Sequence, residues 1–168
     1  MMETAGSTGH PALTDAQTGL PNRLHWDTVF GVVFAAGARG IPLTLILLEI
    51  DHYQDRILNL PPEEVDRAFA LLGEALGNTT RQSDLAARTH EGRFAFLLLD
   101  CNLAGGRLVA DRLDALLDPV RDLTGLSFGI GVSAFNREMT RPGELVGTAE
   151  EALRLAQARG ENEMEFHG

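Results

Sequence analysis

The sequence predicts a single layered α/β domain, with helices covering a central mixed sheet of five strands. Three observations carry that reading. Apolar stretches of strand length alternate along the chain with amphipathic stretches of helix length. At 168 residues, 44% of them hydrophobic, the chain has the size of one domain and can bury a proper core. No repeat, low-complexity tract or second domain interrupts the pattern.

Each element can be justified in order. Residues 1–12 are small, polar and aperiodic and predict a flexible tail. The turn-rich stretch "DAQTGLPNR" (15–23) follows, with Pro21 suited to an early helical position, and "NRLHWDTVFGVVFAAGA" (22–38) gives the first helix. "IPLTLILLEID" (41–51) is a near-continuous apolar run, the mark of a strand buried on both faces. Residues 61–77 begin with prolines and glutamates and space Val65, Phe69, Leu72 and Leu76 as one helical face. Two strands, about 85–90 and 93–99, flank a tight turn. Residues 102–118 form an amphipathic helix. "GLSFGIGVSAF" (125–135) alternates glycine with apolar residues, a strand built for close backbone approach. Residues 142–160 form a helix ended by Gly160, and "NEMEFH" a short last strand.

Composition excludes several classes. A formal net charge of −10 argues against a surface that coats nucleic acid, yet permits a small anionic ligand held by a few arginines. Cys101 is the only cysteine, so neither an internal disulfide nor a cysteine-based zinc site can form, and it reads as a partly buried filler. The first fifteen residues carry no apolar signal core, and the longest apolar run, "LTLILL", is too short to span a bilayer, so a cytoplasmic location is expected.

The turn inside "AARTHEGRF" (86–94) is unusual. Tight hairpins favour Gly, Asn or Asp because their central residues need positive φ. Here the tip is His90-Glu91-Gly92, polar and partly charged between two buried strands. It reads as an active-site loop or the remnant of one.

Several fragments resemble one family. "DAQTGLPNR", "LLEIDHY", "RQSDLAARTHEGRFAFLLLD", "SFGIGVSAF" and "AEEALRLAQARGEN" are similar, in order and spacing, to segments of GGDEF domains, the diguanylate cyclases that condense two GTP into cyclic di-GMP. The resemblance implies a nucleotidyl-cyclase-like fold over residues 13–168. It also marks this chain as a degenerate member. The family's Gly-Gly-Asp/Glu-Glu-Phe turn reads His90, Glu91, Gly92, Arg93, Phe94 here, so the position of the metal-binding acid is Gly92. Glu49 stands at the family's other metal carboxylate and Asp66 at a guanine contact, while Ile57 replaces a guanine-reading asparagine. Gln54, Gln157 and Glu161 replace phosphate-binding cations. Phosphoryl transfer depends on metal and cation stabilisation of charge, so the resemblance implies no enzyme activity and no metal or cofactor. An altered metal site from Glu49, His90 and Glu91 is the alternative for the turn. The plainer reading makes Glu49 and Asp51 solvated strand-end caps and Asp66 a surface residue.

One motif is intact. Arg81-Gln82-Ser83-Asp84 matches the Arg-x-x-Asp inhibitory site at which, in the family, cyclic di-GMP binds away from the catalytic loop, and Arg112 falls where some relatives place a further arginine. A guanidinium fork suits guanine O6 and N7, and a carboxylate suits its N1–H and N2–H. The resemblance therefore implies a cyclic di-GMP receptor, acting through a homodimer or a protein partner. The alternatives are a nucleotide-independent interaction module, and for Arg81 and Asp84 a surface pair at a helix end.

Overall fold

The computed structural model describes residues 10–81 and 84–168. Five strands form one mixed sheet: β1 (Leu43–Ile50), β2 (Leu85–His90), β3 (Arg93–Leu99), β4 (Phe128–Ala134) and β5 (Met164–His167), in spatial order β2-β3-β1-β4-β5. β1 is central and antiparallel to both β3 and β4. Only the β4–β5 pair is parallel, joined by a helical crossover as parallel neighbours require. β1 is buried on both faces, as its unbroken apolar run predicts.

Helices α1 (Arg23–Ala38) and α6 (Pro142–Arg159) pack Trp26, Phe30, Phe34, Leu145 and Leu153 against Leu45 and Leu47 on one face. Helices α3 (Pro62–Gly77), α4 (Leu103–Leu116) and α5 (Asp118–Thr124) cover the other with Phe69, Leu72, Leu113 and Val120 against Ile46, Leu48, Phe94 and Phe96. Asn22 and Asn102 cap α1 and α4 by accepting from His25 N and Gly105 N.

The structure departs from the sequence reading in four places. A short helix, α2 (Tyr53–Leu58), follows β1 after His52, whose backbone is left-handed. The helix predicted over 102–118 breaks at Leu117, and Pro119 restarts the chain as α5, because proline suits a first turn and not an interior. Pro21 lies before the Asn22 cap, bridged to Thr14, and not inside the helix. Of the predicted tail, residues 1–9 lie outside the described residues, and His10 caps a 3-10 turn at Pro11–Leu13.

Gly131 bears out the close-approach reading of β4: a Cβ there would lie 2.6 Å from Ala149 O on α6. We expect Gly131→Ala to lower stability by about 1–3 kcal/mol through overpacking. Gly147→Ala, on the open side of α6, should raise it by roughly 0.5–1 kcal/mol. Urea denaturation of the two variants checks both signs.

Candidate functional site

The site is built on β3. At its first residue, Arg93 faces Glu49 of β1 directly across the antiparallel ladder, and cross-strand register makes the pair. Arg93 Nε donates to Glu49 Oε2 at 2.7 Å, and Gln157 Nε2 from α6 donates to Glu49 Oε1 at 3.0 Å. Both carboxylate oxygens are thus taken. Arg93 also reaches Glu150, 3.3 Å away. Asp51 is 3% exposed, and its Oδ2 accepts from Asn162 N at 3.1 Å. Glu49 and Asp51 are therefore internal acceptors and not the solvated caps the sequence suggests. Together with Gln54, Asp55 and Gln157 they line a cleft of about 430 Å³, to which no arginine contributes among the described residues.

The turn itself differs from expectation. Neither Glu91 nor Gly92 has positive φ. The register instead shifts between Arg88 and His90, and that bulge supplies the local twist. Gly92 is required by contact and not by φ: a Cβ there would sit 2.5 Å from Tyr53 Cδ2. Its carbonyl accepts from Ile50 N at 2.9 Å, stapling the turn to β1. His90 turns towards α1, where its Nε2 lies 3.1 Å from Arg23 Nη1. Glu91 is exposed. No group of three or more His, Cys, Asp or Glu side chains among the described residues is arranged to hold a metal. Glu49, His90 and Glu91 are not brought together as an altered metal site. Gly92 offers no side-chain ligand atom, each Glu49 oxygen holds one hydrogen bond, and the buried Asp51 Oδ1 has no partner among the described residues.

Behind the turn lies an arginine that sequence reasoning passed over. Arg88 donates to the Glu91 carbonyl through Nε (2.9 Å) and Nη2 (2.6 Å), and to Gln17 Oε1 (2.6 Å) and Asp15 Oδ2 (3.2 Å) through Nη1. Its guanidinium lies 3.9 Å from the Phe69 ring centroid. Asp66 is exposed, as read, and accepts from Gln17 Nε2 at 2.9 Å. The available signal was an arginine directly after the apolar Leu85-Ala86-Ala87 start of a strand. Ile57 packs against the core, and Glu161 pairs with Arg56 at 2.6 Å.

The far end of β3 borders a second cleft. Seven residues at about 3.3 Å each separate the two ends by roughly 20 Å. This cleft, of about 400 Å³, is lined by Arg81, Asp84, Asp100, Cys101, Leu108 and Arg112 among others. Asp84 is not a surface carboxylate: its side chain is 4% exposed. Its Oδ1 accepts from Leu99 N at 3.0 Å and its Oδ2 from Arg81 N at 3.2 Å. Arg81 lies beyond the end of α3 and its side chain is 64% exposed. Its Nη2 donates to Leu99 O at 2.9 Å. Arg112 projects from α4 with its side chain exposed. Gln82 and Ser83, the middle of the motif, lie outside the described residues. Cys101 is partly buried, and burial, then Asp84, raises its thiol pKa.

Comparison with known proteins gives the lineage. The family model described as diguanylate cyclase, GGDEF domain, matches residues 12–163. The chain belongs to the GGDEF family. The response regulator PleD of Caulobacter vibrioides is 30% identical over 162 residues, covering 90% of this chain and 35% of PleD. The probable diguanylate cyclase DgcC of Escherichia coli is 28% identical, covering 90% of this chain and 42% of DgcC. The chain thus spans less than half the length of these curated relatives. The fold superposes on the GGDEF domain of DgcB from Caulobacter crescentus, solved in complex with cyclic di-GMP, with a TM-score of 0.82 at 19% identity and 94% coverage of both chains. The five-stranded mixed sheet flanked by helices is therefore the GGDEF fold. No helix among the described residues is long and apolar enough to cross a membrane.

His90 gives the GGDEF turn a pH dependence. Partial burial first, then the charges of Arg93 and Arg23, hold its pKa below the ordinary 6.5. The unfolded chain then takes up a proton near pH 6.5 while the folded protein resists until lower pH. Stability is complete above about pH 6.5 and is lost as pH falls from there through the lowered folded value. Urea midpoints at about pH 7.5 and about pH 5.5 should differ less in His90→Gln than in the unaltered protein; an unchanged difference would refute this.

Proposed function

We propose that this protein is a catalytically inactive GGDEF domain that serves as a receptor for cyclic di-GMP, bound at Arg81 and Arg112 with Asp84 shaping the site. The observation that carries the reading is the gathering of these three residues around one open cleft. Two exposed guanidinium groups offer forks for guanine O6 and N7, planes for stacking, and charge for phosphates. The complex of DgcB with cyclic di-GMP supports the ligand class. A second copy of the chain or a protein partner, engaged in the cytoplasm, carries the bound state onward.

The other cleft supports the inactive reading. Moving a phosphoryl group requires cations aimed at the developing charge. Here the lining offers Glu49, Asp51, Asp55 and two glutamines, with Arg93 spent on Glu49 and Glu150. Tyr53 fills the space over Gly92. We expect no cyclic di-GMP from GTP with Mg²⁺ or Mn²⁺, and no revival in Gly92→Asp, whose side chain meets the Tyr53 ring. Product above background that disappears in Glu49→Ala would overturn the inactive reading.

Calorimetry with cyclic di-GMP tests the receptor reading. Binding should appear, with a rise in melting temperature that grows with ligand concentration. Arg81→Ala should weaken affinity about tenfold or more, the worth of a lost bidentate guanine contact. Absence of both heat and melting shift at ligand levels well above micromolar would leave the nucleotide-independent interaction module in its place.

A further inference from the structure

We infer that Asp100, and not Asp84, is the carboxylate that reads the guanine edge in the Arg81 cleft. This rests on the receptor reading above. Guanine is set apart by its adjacent N1–H and N2–H donors, which a free carboxylate accepts together. Asp84 is largely committed. One oxygen holds Leu99 N, the other holds Arg81 N and Arg81 Nε, and the side chain is 4% exposed. Turning it outward would break its bond to the part-buried Leu99 N and its bonds to Arg81.

Asp100 has the opposite character. It lines the same cleft and is exposed, and no hydrogen bond or ion pair among the described residues engages its carboxylate. It directly follows Leu99, whose carbonyl anchors Arg81 Nη2, and it lines the same cleft as that guanidinium. That neighbourhood matches a purine edge on which the O6 acceptor adjoins the N1–H donor. Its backbone is left-handed, φ 54°, uncommon for any residue but glycine and best tolerated by Asp and Asn. Cys101 N, bonded to Pro42 O at 3.1 Å, fixes the chain immediately after it. Leu108, 68% exposed on the α4 side of the cleft, offers an apolar face to the base. Asp84 is then a positioning residue, setting the loop that presents Arg81.

Calorimetry with three cyclic dinucleotides separates these roles. The guanine ligand presents N1–H and N2–H, the hypoxanthine analogue only N1–H, and the adenine ligand neither. The unaltered protein should prefer them in that order. Asp100→Asn keeps the left-handed tolerance but leaves one acceptor and no charge. It should weaken cyclic di-GMP binding about tenfold and narrow the gap to the hypoxanthine analogue. Asp84→Asn should lower the melting temperature and weaken all three ligands alike. If Asp100→Asn changes neither affinity nor preference while Arg81→Ala weakens binding, the inference fails and the receptor reading stands. If Asp84→Asn closes the guanine–hypoxanthine gap instead, Asp84 is the reader. If the unaltered protein binds none of the three, both fall.

Discussion

The guanidinium of Arg88 lies flat on Phe69 and donates to the Glu91 carbonyl, Gln17 and Asp15. Those partners belong to α3, the hairpin turn and the entry segment, so one side chain, 10% exposed, joins three parts of the chain far apart in sequence. Charge-assisted bonds are the strong ones, and a planar guanidinium can meet several acceptors in its plane while its face lies on an aromatic ring, which an ammonium cannot. The chain contains no lysine, and all its basic side chains are arginines. With its carbonyl held from below, the turn keeps its shape without the positive φ a tight hairpin usually needs. Gly92 can then lie under Tyr53, and Arg93 can face Glu49.

That last pairing changes the character of the end of the sheet. Where the GGDEF resemblance puts a metal between a strand-end carboxylate and the turn, a guanidinium is bonded to Glu49 at 2.7 Å. The positive charge has become part of the chain. Arg93 and Glu49 are 19% and 25% exposed, so removing either would leave a half-buried charge without its partner, which costs more than the pair contributes. The far end of β3 shows no such substitution. There Arg81, its side chain 64% exposed, bonds the Leu99 carbonyl and Asp84 Oδ2, and Arg112 is exposed on α4.

Strand and helix identities were legible because period and burial agree. The apolar run of β1, the helical face of α3 and the glycine alternation of β4 each reflect a packing demand that local sequence carries. The misses have a common cause. α2 is six residues long, too short for periodicity to register. Asp51 read as a solvated cap, Asp84 as a ligand contact or half of a surface pair, and Arg88 not at all, because their burial depends on partners at Asn162, Leu99 and Asp15, distant in sequence. The site was legible only as a list of positions. Which carboxylate was already spent could not be seen without the contacts.

This distinction between spent and unspent groups decides how the two ends of β3 can be used. A ligand gains nothing from a polar group that already has its hydrogen bonds, because binding must first break them. At the hairpin end Glu49, Arg93 and Arg88 are all committed to one another or to backbone. At the other end Arg112 and Asp100 face solvent, and Arg81 has most of its side chain exposed. What differs is which groups remain: beside Leu99 they include exposed arginines, whereas at the hairpin end Arg88 and Arg93 are committed and a buried acceptor, Asp51 Oδ1, is left without a partner.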